Sequence, residues 1–288
     1  MSAARALLAA IRVRQWTKNL LVLAPLLPAA DAIGRSALAG AALAFVMFCL
    51  ISSGVYLVND VLDVEADRAH PVKQHRPIAA GTLPVPLALT VAAVLIIVGC
   101  LLAAVRSTDL LVVALLYVGI QLAYCFGLKR EPVLELASVA SGFLLRALAG
   151  GVAAGIPLSQ AFLLAAGFGS LFVAAGKRYA EASLGRRTGA VVREVVGSYS
   201  LSYLRFVWTV AAALVVAAYA LWAFQVQVDT RSVWSMISTV PFVLALLRYA
   251  VNVDAGQGEE PEEIILHDRM LLTLGVLWVA SLVAAVFL

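Results

Sequence analysis

The stretch NDVLDVEADRAHPVKQHRP, from Asn59 to Pro77, sets Asn59, Asp60, Asp63 and Asp67 ahead of His70, Lys73, His75 and Arg76. Oxygen ligands of this kind suit Mg²⁺, which takes a few carboxylates and completes its shell with water and substrate phosphate. Lysine holds phosphate as a point charge and arginine as a planar fork. The chemistry on offer is cation-assisted handling of phosphate groups. At about 100° per residue, Asn59, Asp63 and Asp67 fall within about 80° of one another on a continuing helix, with Asp60 bordering that face. Singly, each Asp also suits a solvated helix end. Four polar residues on one face beside an apolar run argue for a site, because charge close to lipid is costly.

Similar residue types recur downstream. Tyr124, Lys129, Arg130 and Glu135 follow another apolar run. Lys129 can reach a phosphate and Tyr124 can donate to a phosphate or a ribose hydroxyl, although an interfacial Tyr beside topology-setting cations has the same pattern. Lys177, Arg178 and Glu181 share one helix end, where Lys177 and Glu181, four apart, also suit a structural pair. Arg193 and Glu194 continue that charged run. Arg146 lies within an apolar segment, so it must face a structural partner, a substrate or a polar cavity. At the start, Arg12, Arg14, Gln15, Trp16, Lys18 and Asn19 read as an interfacial anchor, with a lid over a site as the sharper alternative. Lys18 joins Asn59, Lys73, Arg76, Tyr124, Lys129, Arg146, Lys177 and Arg178 as a candidate for substrate binding. The acidic run Glu259, Glu260, Glu262 and Glu263 reads as a solvated loop.

The elements that must position these residues are hydrophobic. Of 288 residues, 63% are hydrophobic and 13% charged, which requires an integral membrane protein. Apolar stretches bounded by charge, Gly or Pro number about nine, near 19–31, 37–58, 84–105, 109–127, 133–153, 160–176, 203–225, 234–252 and 271–288. None shows the two-residue alternation of a barrel strand, so the expected fold is an all-α bundle forming one domain over 1–288. With the N-terminus inside, only Arg35, Arg106 and Arg231 of the 21 Lys and Arg fall in outer loops, which predicts a cytoplasmic N-terminus in the plasma membrane. No cleavable signal is evident after Arg12, Arg14 and Lys18. The inner loops carry the chemistry, so the expected site cavity is cytoplasmic. Cys49, Cys100 and Cys125 have no paired spacing and read as packing residues. The net charge of +4 suits anionic lipid or phosphorylated substrates, and nothing resembles a nucleic-acid module. Oligomeric state is left open, since glycines such as Gly150, Gly151 and Gly155 pack within one chain as readily as between chains.

The motif Asn59-Asp60-x-x-Asp63-x-x-x-Asp67, with about nine helices, resembles the UbiA superfamily of intramembrane prenyltransferases. Arg14-Gln15-Trp16-Thr17-Lys18-Asn19, His70-x-x-Lys73-x-x-Arg76-Pro77, Gly127-Leu128-Lys129, Ser141 to Ala147 and Gly176-Lys177-Arg178 are similar to its decaprenyl-phosphate phosphoribosyltransferase branch. These matches span residues 14 to 181. The resemblance implies transfer of 5-phosphoribose from phosphoribosyl pyrophosphate (PRPP) to a polyprenyl phosphate, with release of pyrophosphate. It further implies a product that serves as lipid donor for cell-wall arabinan. Asp60, Asp63 and Asp67, with Asn59, would hold Mg²⁺ against the donor. Ordinary prenyl-transferring members carry a second Asp-rich motif, whereas this chain offers Tyr124, Lys129, Arg130 and the single carboxylate Glu135. A cationic second motif suits a donor bearing several phosphates. The alternative is a prenyltransferase moving an isoprenyl group from its diphosphate to an aromatic or lipid acceptor. A lipid carrier fits less well, because the charges gather on one side and no two-half repeat is visible.

Overall fold

The computed structural model describes residues 3–27, 34–189, 194–257, 264 and 267–287, and the regular elements among them are all helical. Arg193 and the acidic run from Glu259 to Glu263 lie outside the described residues. The chain divides into two compact units. One comprises Met1–Pro25, Gly34–Lys129 and Leu145–Pro157, the other Leu26–Ile33, Arg130–Leu144 and Leu158–Leu288.

In the first unit, α1 (Ala3–Ala10) and a 3₁₀ stretch (Val13–Leu26) precede α2 (Arg35–Leu62), α3 (Val64–Ala69), α4 (Val85–Arg106) and α5 (Thr108–Phe126). The second half of α6 (Leu134–Ala154) also belongs to it. Helix α2 packs along α4 and α5, burying Met47, Phe48, Ile51, Val55 and Tyr117 in one apolar cluster. A second cluster joins Leu57 to Ile78 and Leu83, which lie in the loop before α4. Two glycines set how closely the backbones approach. A Cβ at Gly150 would lie 1.9 Å from the carbonyl oxygen of Val22, and one at Gly40 would lie 2.0 Å from that of Ala153. Both opposing atoms are backbone, so neither can swing aside. Gly150→Ala is expected to destabilise the protein by roughly 1–3 kcal/mol through overpacking. A lowered thermal midpoint in detergent is the check, and an unchanged midpoint would contradict the close approach.

The second unit holds the first half of α6, α7 (Gln160–Thr188), α8 (Glu194–Gly197), α9 (Leu201–Thr230), α10 (Trp234–Ile237), α11 (Thr239–Asn252) and α12 (Arg269–Phe287). Helices α7 and α9 pack together around Trp208, which stacks on Phe172 and Tyr179 at centroid distances of 5.6 and 5.5 Å. Ser159 and Ser200 start these helices by accepting from Phe162 N and Tyr203 N. Asp268 caps α12, accepting from Met270 N and Leu271 N as well as from Asn252 and Arg248. The Asn252 hydrogen bond foremost, with Arg248 and the two amides, holds the Asp268 carboxyl down to about 2.

Seven stretches among the described residues have the length and composition to cross a bilayer: α2, α4, α5, α6, α7, Leu201–Val228 and Trp234–Gly256. Helix α12 adds a shorter apolar run, Arg269–Ala285. Of the nine segments expected from sequence, the first begins within the 3₁₀ stretch Val13–Leu26, where Pro25 removes a backbone donor. The segments 84–105, 109–127 and 133–153 coincide closely with α4 to α6, whereas α7 starts where expected at Gln160 but runs on to Thr188, past the expected end at 176.

Candidate active site

Helix α2 ends at Leu62 and α3 begins at Val64, with Asp63 between them at φ −95° and ψ 6°. Its amide bonds to Asn59 O at 2.9 Å, and Asp67 N bonds to Asp63 O at 2.7 Å, so the helical turn nearly carries through. The four polar residues sort into two pairs rather than the single face expected. Asp60 and Asp67, each 3% exposed, share the guanidinium of Arg76, whose Nη1 lies 3.2 Å from Asp60 Oδ1 and 2.7 Å from Asp67 Oδ2. Asn59 and Asp63 share Lys129, whose Nζ donates to Asn59 Oδ1 at 3.2 Å and to Asp63 Oδ1 at 2.5 Å. Asn59 also donates to Asp63 Oδ2 at 3.1 Å.

The loop after α3 aims Arg76. His70 Nδ1 accepts from Val72 N and Lys73 N, and a 3₁₀ turn spans Lys73–His75. Pro77 O accepts from Thr82, while Arg68 donates to Ala79 O. Ile78 and Leu83, 2% and 1% exposed, sink into the apolar cluster around Leu57. Burial on its C-terminal side, from Pro77 to Ala79 and at Leu83, anchors the backbone from which Arg76 reaches the carboxylates. Lys129 sits on the 3₁₀ turn Leu128–Arg130 directly after α5.

Arg12, assigned by sequence to an anchor or lid, also reaches this group. Its Nη2 contacts Asp60 Oδ1 at 2.5 Å, and its guanidinium lies 5.0 Å from the centre of the Tyr56 ring. Arg146, Asn19 and Tyr117 form a separate buried group. Arg146 donates to Asn19 Oδ1 at 2.7 Å and to the Tyr117 hydroxyl at 2.9 Å, and its guanidinium lies 5.4 Å from the Phe48 ring. Asn19 donates in turn to Cys49 Sγ at 3.3 Å. The Tyr117 contact carried no sequence signal beyond the demand that a mid-segment Arg find a partner. Lys18 and Lys73 are half-buried, and Tyr124 packs at the edge of the α2–α5 core.

Lys177 and Arg178 belong to the second unit. There Arg178 is buried against Glu135 through both Nε and Nη2 and also donates to Glu181 Oε2 at 3.1 Å. Arg178 is thus held in an ion-pair network, with Glu135 1% exposed and its Oε2 lacking a hydrogen-bond partner. Tyr199, which accepts from Val133 N, has its hydroxyl pKa raised by burial.

The donor set around Asp60 and Asp67 fits a hard divalent cation by its chemistry: two nearly buried carboxylates, with a third and an amide close in sequence. No group of three or more His, Cys, Asp or Glu side chains converges among the described residues. Two carboxylates, Asp60 and Asp67, are therefore what these positions bring together as they stand.

Bilayer-length helices with a cluster of carboxylates and cations at the end of one of them define an integral membrane protein with a polar site at a helix break. The chain belongs to the UbiA prenyltransferase family, which it matches over residues 21–274. It is 52% identical over 285 residues to the decaprenyl-phosphate phosphoribosyltransferase of Corynebacterium glutamicum, covering 97% of this chain and 86% of that one. It is also 52% identical to the enzyme of the same name from Mycobacterium tuberculosis, covering 96% and 93%. The fold is similar to that of a UbiA homolog from Archaeoglobus fulgidus bound to DMAPP and Mg²⁺, with a TM-score of 0.74 at 16% identity over 97% and 98% of the two chains.

Proposed function

We propose that the protein is a glycosyltransferase that moves 5-phosphoribose from PRPP to decaprenyl phosphate, giving decaprenylphosphoryl-5-phosphoribose and pyrophosphate. The observation that carries this reading is the 52% identity, over 96% or more of the chain, to relatives named decaprenyl-phosphate phosphoribosyltransferase. The cationic surroundings of the carboxylates support it, since a donor with a pyrophosphate and a 5-phosphate needs more positive charge than a prenyl diphosphate.

Asp60, Asp63 and Asp67, with Asn59, are the residues that would hold Mg²⁺. When bound, Mg²⁺ supplies neutralisation of the charge that builds on the departing pyrophosphate. Arg76 and Lys129 are already aimed at these positions and would take donor phosphate oxygens, with Lys18 and Lys73 as further phosphate contacts. The ribose C1 becomes oxocarbenium-like as its bond to pyrophosphate breaks, and an acceptor phosphate oxygen forms the new bond. That oxygen is anionic at neutral pH, so no general base is required. The polyprenyl chain lies along apolar helices with its phosphate at the site. The distribution of Lys and Arg supports a cytoplasmic site in the plasma membrane, where PRPP is accessible, and a product that serves cell-wall arabinan synthesis.

Purified protein in detergent, given Mg²⁺, labelled PRPP and decaprenyl phosphate, is expected to place label in the lipid, and EDTA to abolish that transfer. In parallel, an isoprenyl diphosphate and aromatic or lipid acceptors test the alternative. Prenylation without ribose transfer would overturn the proposal, and EDTA-insensitive transfer would remove the metal from it.

A further inference from the structure

We propose that Arg12 competes with the divalent cation for Asp60, so that its guanidinium is latched onto α2 at the start of the N-terminal 3₁₀ segment without metal and lets go when metal binds. This rests on the metal reading given above. Both Arg12 Nη2, at 2.5 Å, and Arg76 Nη1, at 3.2 Å, point at the same oxygen, Asp60 Oδ1. A cation coordinated by that oxygen must displace one of the two guanidiniums.

The two arginines differ in what holds them. Arg76 keeps Asp67 at 2.7 Å, and its loop is fixed by buried Ile78 and Leu83. Arg12 sits at φ +54°, a backbone region that residues with a Cβ rarely adopt, at the junction of α1 and the 3₁₀ segment. Its hold on Asp60 is one charged hydrogen bond, and Tyr56 supports the guanidinium from the side. Displacing Arg12 breaks a single charged contact made from an uncommon backbone conformation, whereas Arg76 is also held by Asp67 on a loop anchored by buried side chains. Arg12 therefore yields. The segment stays tethered through Ser53, which donates to Ile11 O at 2.9 Å and accepts from Trp16 Nε1 at 3.1 Å, and through Asn19 on Arg146. Release of Arg12 thus frees a cation beside the donor phosphates without detaching the segment. Arg12 is a positioning residue that couples metal occupancy to the N-terminal segment.

Because linkage is reciprocal, removing the competitor must tighten metal binding. The experiment measures free Mn²⁺ by electron paramagnetic resonance during titration of the purified full-length protein, without substrate. Wild type, Arg12→Gln, Arg12→Lys, Arg5→Gln and Asp63→Asn are compared. Arg12→Gln is expected to bind Mn²⁺ roughly tenfold more tightly than wild type. Arg12→Lys, which keeps the charge but loses the fork, should fall between the two and stands in if the Gln variant does not fold. Arg5→Gln makes the same charge change at an exposed position of α1 and should leave the affinity unchanged, while Asp63→Asn should weaken it. Equal affinity in wild type and Arg12→Gln, or equal tightening in Arg5→Gln, would overturn the competition while leaving the metal reading intact. Absence of Mn²⁺ binding in every protein would overturn both.

Discussion

Asp63→Asn is expected to lower phosphoribosyl transfer by roughly 10²- to 10³-fold while the protein still inserts and purifies normally. Asp63 is accessible enough to meet substrate, with 28% of its side chain exposed against 3% for Asp60. Its loss removes one negative charge from the proposed metal ligands, and Lys129 retains Asn59 as an acceptor. The fold therefore tolerates the change. Asp60→Asn is a poorer test, because two guanidiniums lose a buried counter-charge together. Turnover and thermal midpoint measured on the same preparation separate the outcomes. Transfer at the wild-type rate with normal Mg²⁺ dependence would remove Asp63 from the site.

Arg178→Met is expected to fail differently, by losing roughly 3–5 kcal/mol of stability, because it strands Glu135 as a buried charge. Glu135 is 1% exposed, and Arg178 holds its Oε1 with two nitrogens while linking it to Glu181. The double variant Arg178→Met with Glu135→Leu should recover much of that loss, since replacing a whole buried pair is far milder than breaking one. Chemical denaturation in mild detergent gives the comparison. If Arg178→Met keeps wild-type stability and raises the PRPP KM alone, Arg178 is a substrate contact and the ion pair is incidental.

The membrane-spanning architecture was legible because bilayer-length apolar runs leave a chain few alternatives. The internal arrangement of the motif was less so. The i, i+4 rule put Asn59, Asp63 and Asp67 on one face, yet the same helical geometry sets Asp60 and Asp67, seven apart, within about 20° of each other. Which spacing prevails depends on where the counter-cations come from, and Arg76 and Lys129 arrive from a loop and from another helix end. Nothing in local spacing encodes that. Arg146 was legible as a cation needing company, but Tyr117, 29 positions earlier, could be identified only in three dimensions. Arg12 read equally well as an anchor or a lid, since a basic residue beside Trp looks the same in either role.

The anchoring of Arg76 bears on how this protein could have diverged from its relatives. Residues 57 to 83 form one structural block: the carboxylates near one end are served by an arginine whose aim depends on Ile78 and Leu83 packing with Leu57. Recombination inside that block would join carboxylates to a misdirected cation. Exchange at its borders would preserve this set, so functional chimeras with distant family members should have crossover points before Leu57 or after Leu83.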